Sequence, residues 1–308
     1  MSRRLEHPDC NLCGSPDARL LYRSRDFRLR VDDEEYGVVR CTRCGLGYLR
    51  PRPDPEGIAR YYPDSYYDGR DVDAAGDRMA AQAEYLGFAP PGRMLDVGAA
   101  RGDFLRFMKA RGWDVIGLDP YAPEERPGDV RIVRSWDDPE LGDGFDAITA
   151  WSVFEHLHDP LSYFERARAK LRPGGRLIIH VPNLRSLRSR WAYLEDVPRH
   201  LYFFSRPTLR AYGERVGLPL KQVHHDTRVM DGGAPGVLRL HAFRLAGGDA
   251  AEFMRWAQVD RATRRREHPV LYTLGAPLAA LERVVSAPVV RRMLRVNGYV
   301  VAVYEREA

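Results

Sequence analysis

Short apolar runs alternate with longer polar-studded stretches through the middle of the chain. Arg93–Val97 (RMLDV), Asp114–Leu118 (DVIGL), Val130–Val133 (VRIV), Phe145–Trp151 (FDAITAW) and Arg176–Val181 (RLIIHV) are rich in Val, Ile and Leu. Runs of this length and near-continuous apolar character predict strands buried on both faces. Helices are expected over Gly102–Arg111, ending at Gly112, and from about Leu161 to Leu171, before the turn Arg172-Pro173-Gly174-Gly175. Alternation of strand and helix through short turns implies right-handed crossovers, hence a parallel sheet covered on both sides. Leu220–His225 and Gly298–Tyr304 (GYVVAVY) predict a sixth and a seventh strand. The expected fold class is therefore α/β: a doubly wound, mostly parallel seven-stranded sheet.

The flanks follow other patterns. Ala74 to Phe88 predicts a helix closed by Pro90-Pro91-Gly92, and Tyr36–Arg40 predicts a strand. Arg50-Pro51-Arg52-Pro53-Asp54-Pro55 reads as a stiff linker. In Pro269–Val285, Leu271, Leu274, Leu278, Leu281 and Val285 recur every three or four residues, an amphipathic helical pattern. Pro277 falls inside it and predicts a kink or a break. These boundaries divide the chain into residues 1–50, a linker and helix over 51–91, a core over 92–227, a helical insertion over 228–296 and a final core strand over 297–308.

Composition narrows the function classes. The 308 residues have room for one large α/β domain plus attachments, and 44% hydrophobic residues suit a soluble globular protein. No apolar run approaches the roughly 20 residues of a membrane span. The opening MSRRLEHPDC lacks the apolar centre of a secretion signal, so a cytoplasmic protein is expected, without membrane contact. The net charge is +5, and Arg255 to Arg295 holds nine arginines against Asp260, Glu267 and Glu282. The remainder is near neutral, so no nucleic-acid partner is expected. The basic insertion is expected to be a lid over an acceptor pocket or the surface of a homodimer.

All four cysteines fall near the start, as Cys10-Asn-Leu-Cys13-Gly and Cys41-Thr-Arg-Cys44-Gly. Two residues between thiolates let a tight turn aim both sulfurs at one ion, and the following glycine lets amide N–H groups face them. Two such knuckles predict a closed four-thiolate zinc ribbon, structural because no ligand position stays open. Disulfides are disfavoured in a reducing compartment, and a redox pair would not be doubled.

The turn Gly98-Ala99-Ala100-Arg101-Gly102 joins the first strand to a helix, at the sheet edge where open α/β folds bind ligands. Strand two runs into Asp119, a carboxylate suited to both hydroxyls of a ribose. A dinucleotide enzyme would want G-x-G-x-x-G, but its last position is Asp103, which leaves an NAD(P)-dependent enzyme as the weaker reading. The pattern resembles the class I S-adenosylmethionine-dependent methyltransferases, whose first motif is acidic-x-Gly-x-Gly-x-Gly. Asp96, Gly98, Ala100 and Gly102 occupy its four positions. Ala100 departs from it by one methyl group, tolerable wherever φ stays negative. Gly117-Leu118-Asp119, Phe145-Asp146, Phe154-Glu155-His156-Leu157 and Leu171-Arg172-Pro173-Gly174-Gly175 match further motifs of that family in register. The cysteine segment, with Leu46-Gly47-Tyr48 and Pro51-Arg52-Pro53 after it, resembles the cysteine-bearing N-terminal extension that many bacterial members carry.

The resemblance implies a Rossmann-like core that binds S-adenosylmethionine and methylates a small-molecule acceptor, a hydroxyl of a natural product or sugar. It implies that Asp119 holds the ribose and that the turn from Gly98 to Gly102, with Asp96, Ala100 and Trp151, faces the methionine end. Ser135 and Trp136 would lie at adenine, with Trp136 stacking on the ring or serving only as core. His156, after strand four, and His200, in Pro198-Arg199-His200-Leu201-Tyr202-Phe203-Phe204-Ser205, are the candidate general bases or acceptor contacts. His158, His224 and His225 are expected to have no catalytic part. Tyr61, Tyr62, Tyr66 and Tyr67 would pack the ribbon on the core or close over the cofactor. Sugar-nucleotide C-methyltransferases share the ribbon, but they carry a second large α/β half for which this chain has no room. A zinc-ribbon binding module with an inert methyltransferase-like domain is the alternative from another class.

Overall fold

A computed structural model describes residues 4–63, 75–87, 91–123, 129–186, 189, 195–230, 237–248, 252–253, 256, 261–285, 287, 290 and 298–307. The N-terminal part forms β1 (Leu5–Glu6), β2 (Ala18–Ser24), β3 (Tyr36–Cys41), β4 (Gly47–Leu49), β5 (Arg52–Pro53) and α1 (Ala75–Ala83). Next come β6 (Arg93–Val97), α2 (Asp103–Lys109), β7 (Asp114–Leu118), β8 (Arg131–Val133), β9 (Phe145–Trp151), α3 (Pro160–Lys170) and β10 (Leu171–Pro182). The rest comprises β11 (Tyr202–Phe203), α4 (Arg206–Val216), β12 (Leu220–His224), α5 (Val237–Leu245), α6 (Arg261–Glu267), α7 (Pro269–Val285) and β13 (Tyr299–Glu305).

The seven-stranded sheet has the order β12-β13-β10-β9-β6-β7-β8. Strands β8, β7, β6, β9 and β10 are parallel, while β13 is antiparallel to both of its neighbours, β10 and β12. Successive side chains alternate between the faces. Leu95, Ile148, Leu177 and Ile179 join one core with Phe164 of α3 and Leu209 of α4. Met94, Ala147, Ile178 and Val301 join another with Ala81 of α1 and with Phe104 and Met108 of α2. The double covering read from the sequence is found, and each fully buried Leu or Ile contributes about 1.5–3 kcal/mol. Strand order reverses between β6 and β9, which opens a crevice at their carboxyl ends.

Several boundaries differ from the expected ones. Helix α1 ends at Ala83, and Ala74 and Phe88 lie outside the described residues. The Leu171–Gly175 turn belongs to β10, whose register against β9 shifts between Leu171 and Arg176. Helix α4 was not foreseen, although a capping box of Ser205 and Thr208 opens it and Gly217 at φ 68° closes it. Helix α7 runs through Pro277, whose missing N–H leaves the Thr273 carbonyl without its helical partner. Both Thr273 and Pro277 are exposed, so water can satisfy that carbonyl and the helix is not interrupted.

The cysteine-bearing segment forms a small antiparallel sheet with the order β11-β4-β3-β2. Its outer strand β11 is supplied by residues 202–203, where Tyr202 pairs with Tyr48 and Phe203 with Gly47. This small sheet is thus hydrogen-bonded into the core. In the insertion, Leu240, Phe243, Phe253 and Trp256 make a separate apolar cluster, and Arg239 pairs with the buried Glu282 at 2.9 Å. Of the amphipathic stripe on α7, Leu278 is half-buried and Leu281 is exposed. Among the described residues no helix is long and apolar enough to cross a membrane.

Candidate functional site

The turn after β6 is set by backbone conformation. Gly98 has φ 73°, and its N–H donates to the Leu118 carbonyl at 2.7 Å. A Cβ there would sit 2.4 Å from Val153 Cγ2, so only glycine fits without a shift. Gly102, at φ 81°, caps the start of α2. Ala100 lies at φ 47°, against the expectation of a negative value. The left-handed conformation costs an L-residue roughly 1–2 kcal/mol. That strain aims its N–H at Asp119, whose Oδ2 accepts at 2.8 Å. Asp119 Oδ1 accepts from Tyr121 N–H at the same distance. The carboxylate at the end of β7 is therefore fixed by two amides and keeps one free lone pair on each oxygen.

Asp96 is buried at the end of β6 and accepts the Thr149 hydroxyl at 2.6 Å. Burial pushes its pKa up to about 7; the Thr149 hydrogen bond opposes the rise and the Asp119 charge adds to it. Trp151, at the end of β9, is half-buried and packs edge-on against Phe104 at 5.6 Å. Its Nε1 is buried with no hydrogen-bond partner among the described residues. Trp136 is 7% exposed and meets Tyr163 edge-to-face at 5.5 Å, which leaves too little ring open to stack on a nucleobase without a shift. Ser135 is exposed, and its hydroxyl accepts from Asp137 N–H. The turn residues, Asp96, Asp119 and Trp151 thus gather at one rim, while Ser135 and Trp136 stand just past β8.

One residue of this rim was not singled out from the sequence. His180 of β10, the register partner of Trp151, is buried, with Nδ1 2.9 Å from the Ser152 hydroxyl. Tyr299 stacks on its ring at 4.9 Å, and among the described residues its Nε2 has no hydrogen-bond partner. Burial lowers its pKa to about 3, so it is a neutral imidazole. The available signal was the lone polar residue in Leu177-Ile178-Ile179-His180-Val181.

His156 and His200 come together, their rings edge-to-face at 4.9 Å. His156 Nδ1 lies 2.9 Å from the Tyr62 hydroxyl and 3.0 Å from the Arg199 carbonyl. Burial lowers its pKa to about 3, helped by the His200 charge. His200 Nδ1 faces Glu195 Oε2 at 3.3 Å. Burial alone would lower the His200 pKa, but the Glu195 hydrogen bond and the charges of Asp196, Glu155 and Glu195 raise it. Beside them, Glu155 is fully buried, and among the described residues no hydrogen bond reaches either carboxylate oxygen. Arg199, with no exposed surface, joins Asp26 of the cysteine-bearing segment to Asp196 through bonds of 2.6 Å to each. Asp26, Glu195, Asp196 and Arg199 escaped the sequence reading, and the Asp26–Arg199 pair spans 173 positions. Tyr61 hydrogen-bonds Asp32 and Tyr36 within the N-terminal part, whereas Tyr62 reaches His156; Tyr66 and Tyr67 lie outside the described residues. His158 and His224 contact the Pro53 carbonyl and Gln222.

The four cysteines converge. Cys10 and Cys44 sulfurs are 3.4 Å apart, those of Cys13 and Cys41 3.6 Å, and one sulfur from each lies within 4.8 Å of the others. A tetrahedral zinc with bonds of about 2.3 Å places its sulfurs about 3.8 Å apart, so the set fits one such ion. The knuckle turns close through Gly14 N–H to the Cys10 carbonyl and Gly45 N–H to the Cys41 carbonyl.

Residues 67–223, just over half of the 308, match a family described as a methyltransferase domain. A ubiquinone biosynthesis O-methyltransferase of Cereibacter sphaeroides is 32% identical over 103 residues, covering 30% of this chain and 41% of that one. A tRNA U34 carboxymethyltransferase of Azotobacter vinelandii is 32% identical over 101 residues, covering 28% and 31%. The chain thus spans less than half the length of these relatives. The solved structure of an S-adenosylmethionine-dependent methyltransferase from Archaeoglobus fulgidus is similar with a TM-score of 0.47 and 18% identity, over 82% of this chain and 100% of that one.

Proposed function

We propose, on the premise that this chain belongs to the methyltransferase domain family, that it moves a methyl group from S-adenosylmethionine to a hydroxyl of a small-molecule acceptor, a natural product or a sugar. The observation that carries the reading is the Asp119 carboxylate, pinned by two backbone amides with one lone pair per oxygen left over. Two vicinal hydroxyls of a ribose match that pair of acceptors. Gly98, at φ 73° and with Val153 packed where a Cβ would stand, gives the turn its tight course at the strand end. When bound, S-adenosylmethionine supplies a methyl group activated on a sulfonium.

The chain's own residues then have three tasks in this proposal. Asp119 and the turn hold the cofactor. Trp151, Phe104 and Tyr85, an aromatic group at the rim, keep water away from a reaction whose charge is dispersed. His156 and His200 meet the acceptor as positioning groups. Against the effect of burial, the Glu195 hydrogen bond and three nearby acids raise the pKa of His200, and His156 is too weakly basic to take a proton readily. The four cysteines hold a structural zinc ion in this reading, with no open position for chemistry.

Calorimetric titration of the chain with S-adenosylmethionine, and with NAD for contrast, tests the reading. Asp119→Ala is expected to weaken S-adenosylmethionine about tenfold or more, as loss of charge-assisted hydrogen bonds should. Unchanged affinity would remove the ribose assignment. No binding of either cofactor by the parent chain would favour a ribbon module with an inert domain.

A further inference from the structure

We propose that Glu155, His156 and His200 form a second metal site, distinct from the cysteines, that takes a divalent first-row transition cation. One ligating atom from each of the three residues lies within 4.8 Å of the others. Two imidazoles and one carboxylate suit zinc, manganese, iron(II) or cobalt(II), and such a set leaves coordination positions open.

Three independent features point the same way. Each ring has partners on Nδ1: for His156 the Tyr62 hydroxyl at 2.9 Å and the Arg199 carbonyl at 3.0 Å, and for His200 the Glu195 carboxylate at 3.3 Å. An outer partner of this kind on one ring nitrogen fixes the tautomer and presents the other to the metal. Glu155, with no exposed surface, has a carboxylate that no hydrogen bond from the described residues reaches. Leaving such a group ionised and buried is costly, and a bound cation is one partner that removes the cost. Finally, the buried guanidinium nearby, that of Arg199, is engaged by Asp26 and Asp196, and Arg28 also reaches Asp196 at 2.9 Å. Leu201 N–H to the Glu155 carbonyl, at 2.6 Å, ties the two ligand-bearing loops together. His156 is the least buried of the three.

The open positions would accept water or oxygens of an acceptor. That use rests on the function proposed above, whereas cation binding does not, so binding is measured without turnover. The full chain, its cysteine metal in place, is dialysed against metal-free buffer and titrated with cobalt(II) by visible absorption and calorimetry. The expected result is one further equivalent whose spectrum lacks the thiolate-to-cobalt charge-transfer band. Glu155→Gln and His156→Asn should each weaken that equivalent at least tenfold, about one ligand's contribution, while the cysteine-bound metal stays at one per chain. Should Glu155→Gln fail to fold, the more exposed His156→Asn carries the test alone. Absence of a further equivalent in the parent chain, or equal cobalt binding in the folded variants, would overturn the proposal.

Discussion

Replacing Arg199 by methionine removes a charge but keeps most of the side chain's volume. Five hydrogen bonds would go: one from Nε to Asp196 at 2.9 Å, two from Nη1, to Asp26 at 3.1 Å and the Tyr61 carbonyl at 3.2 Å, and two from Nη2 at 2.6 Å. Two carboxylates would then stand buried without their shared cation. Removing one partner of a buried pair costs about 3–5 kcal/mol. Here the loss belongs at the lower end, about 3–4 kcal/mol by the same measure. The reason is that Asp26 keeps backbone N–H donors from Arg28, Leu29 and Val31, and Asp196 keeps Arg28. For a chain of this size each kcal/mol moves the melting temperature by about 2–4 °C, so a fall of roughly 10 °C is expected.

The sign of its pH dependence follows from the same residues. Burial alone would raise the pKa of Asp26 and Asp196, but their hydrogen bonds and nearby positive charges lower it instead. Their stabilisation is present above the ordinary carboxylate pKa and is lost as pH falls through the depressed one. The deficit of Arg199→Met should be full at pH 7 and shrink below about pH 4. Asp26→Asn placed on top of Arg199→Met should restore part of the loss by removing one orphaned charge. Thermal unfolding followed by circular dichroism across pH measures all three. A variant within about 1 kcal/mol of the parent at neutral pH would refute the reasoning, because an uncompensated buried charge cannot be that cheap.

Asp96→Asn should stabilise the cofactor-free chain above pH 7. Its raised pKa of about 7 means that burial disfavours the ionised form, so parent stability falls as pH rises from about 4 to 7; melting curves of equal height at pH 8 would contradict this. Ala100→Gly relieves a positive φ but frees the unfolded chain, so the net change should stay within about 1 kcal/mol, and a larger loss in denaturant titration would deny the strain. Elemental analysis should find about one zinc per chain bound by thiolates, and its removal by a chelator should open residues 10–45 to protease; a metal-free chain with an intact N-terminal sheet would end the ribbon assignment.

The central sheet was legible because its information is local. An apolar run such as Leu177–Val181 declares a buried strand without reference to any partner, and Pro173-Gly174 declares the turn before it. The paired C-x2-C knuckles were equally legible, since two residues of spacing are a geometric requirement on one ion. Asp119 could be read because strand two delivers whatever follows it to the same edge as Gly98. What escaped depends on distant partners or on backbone angles. Arg199 and Asp26 are separated by 173 positions, and nothing in Pro198-Arg199-His200 announces a guanidinium with no water contact. Residues 202–203 are too few to declare a strand, and they become one only against Tyr48. Ala100 cannot reveal its φ, because alanine is compatible with many conformations until Asp119 draws its amide. Helix α4 is a different failure, for Ser205, Thr208 and Gly217 marked both of its ends in plain sight.

Strand β13 lies between β10 and β12, yet every other strand of that sheet precedes it in the chain. During synthesis the ribosome releases β10 with one bare edge and β12 with no companion, and both wait until residue 305 emerges. A nascent chain in that condition displays a template for pairing with its neighbours. Shielding by a chaperone, or quick completion of translation, therefore bears on how much of this protein a cell recovers. A stop codon shortly before Tyr299 would leave the growing molecule in that half-finished form permanently.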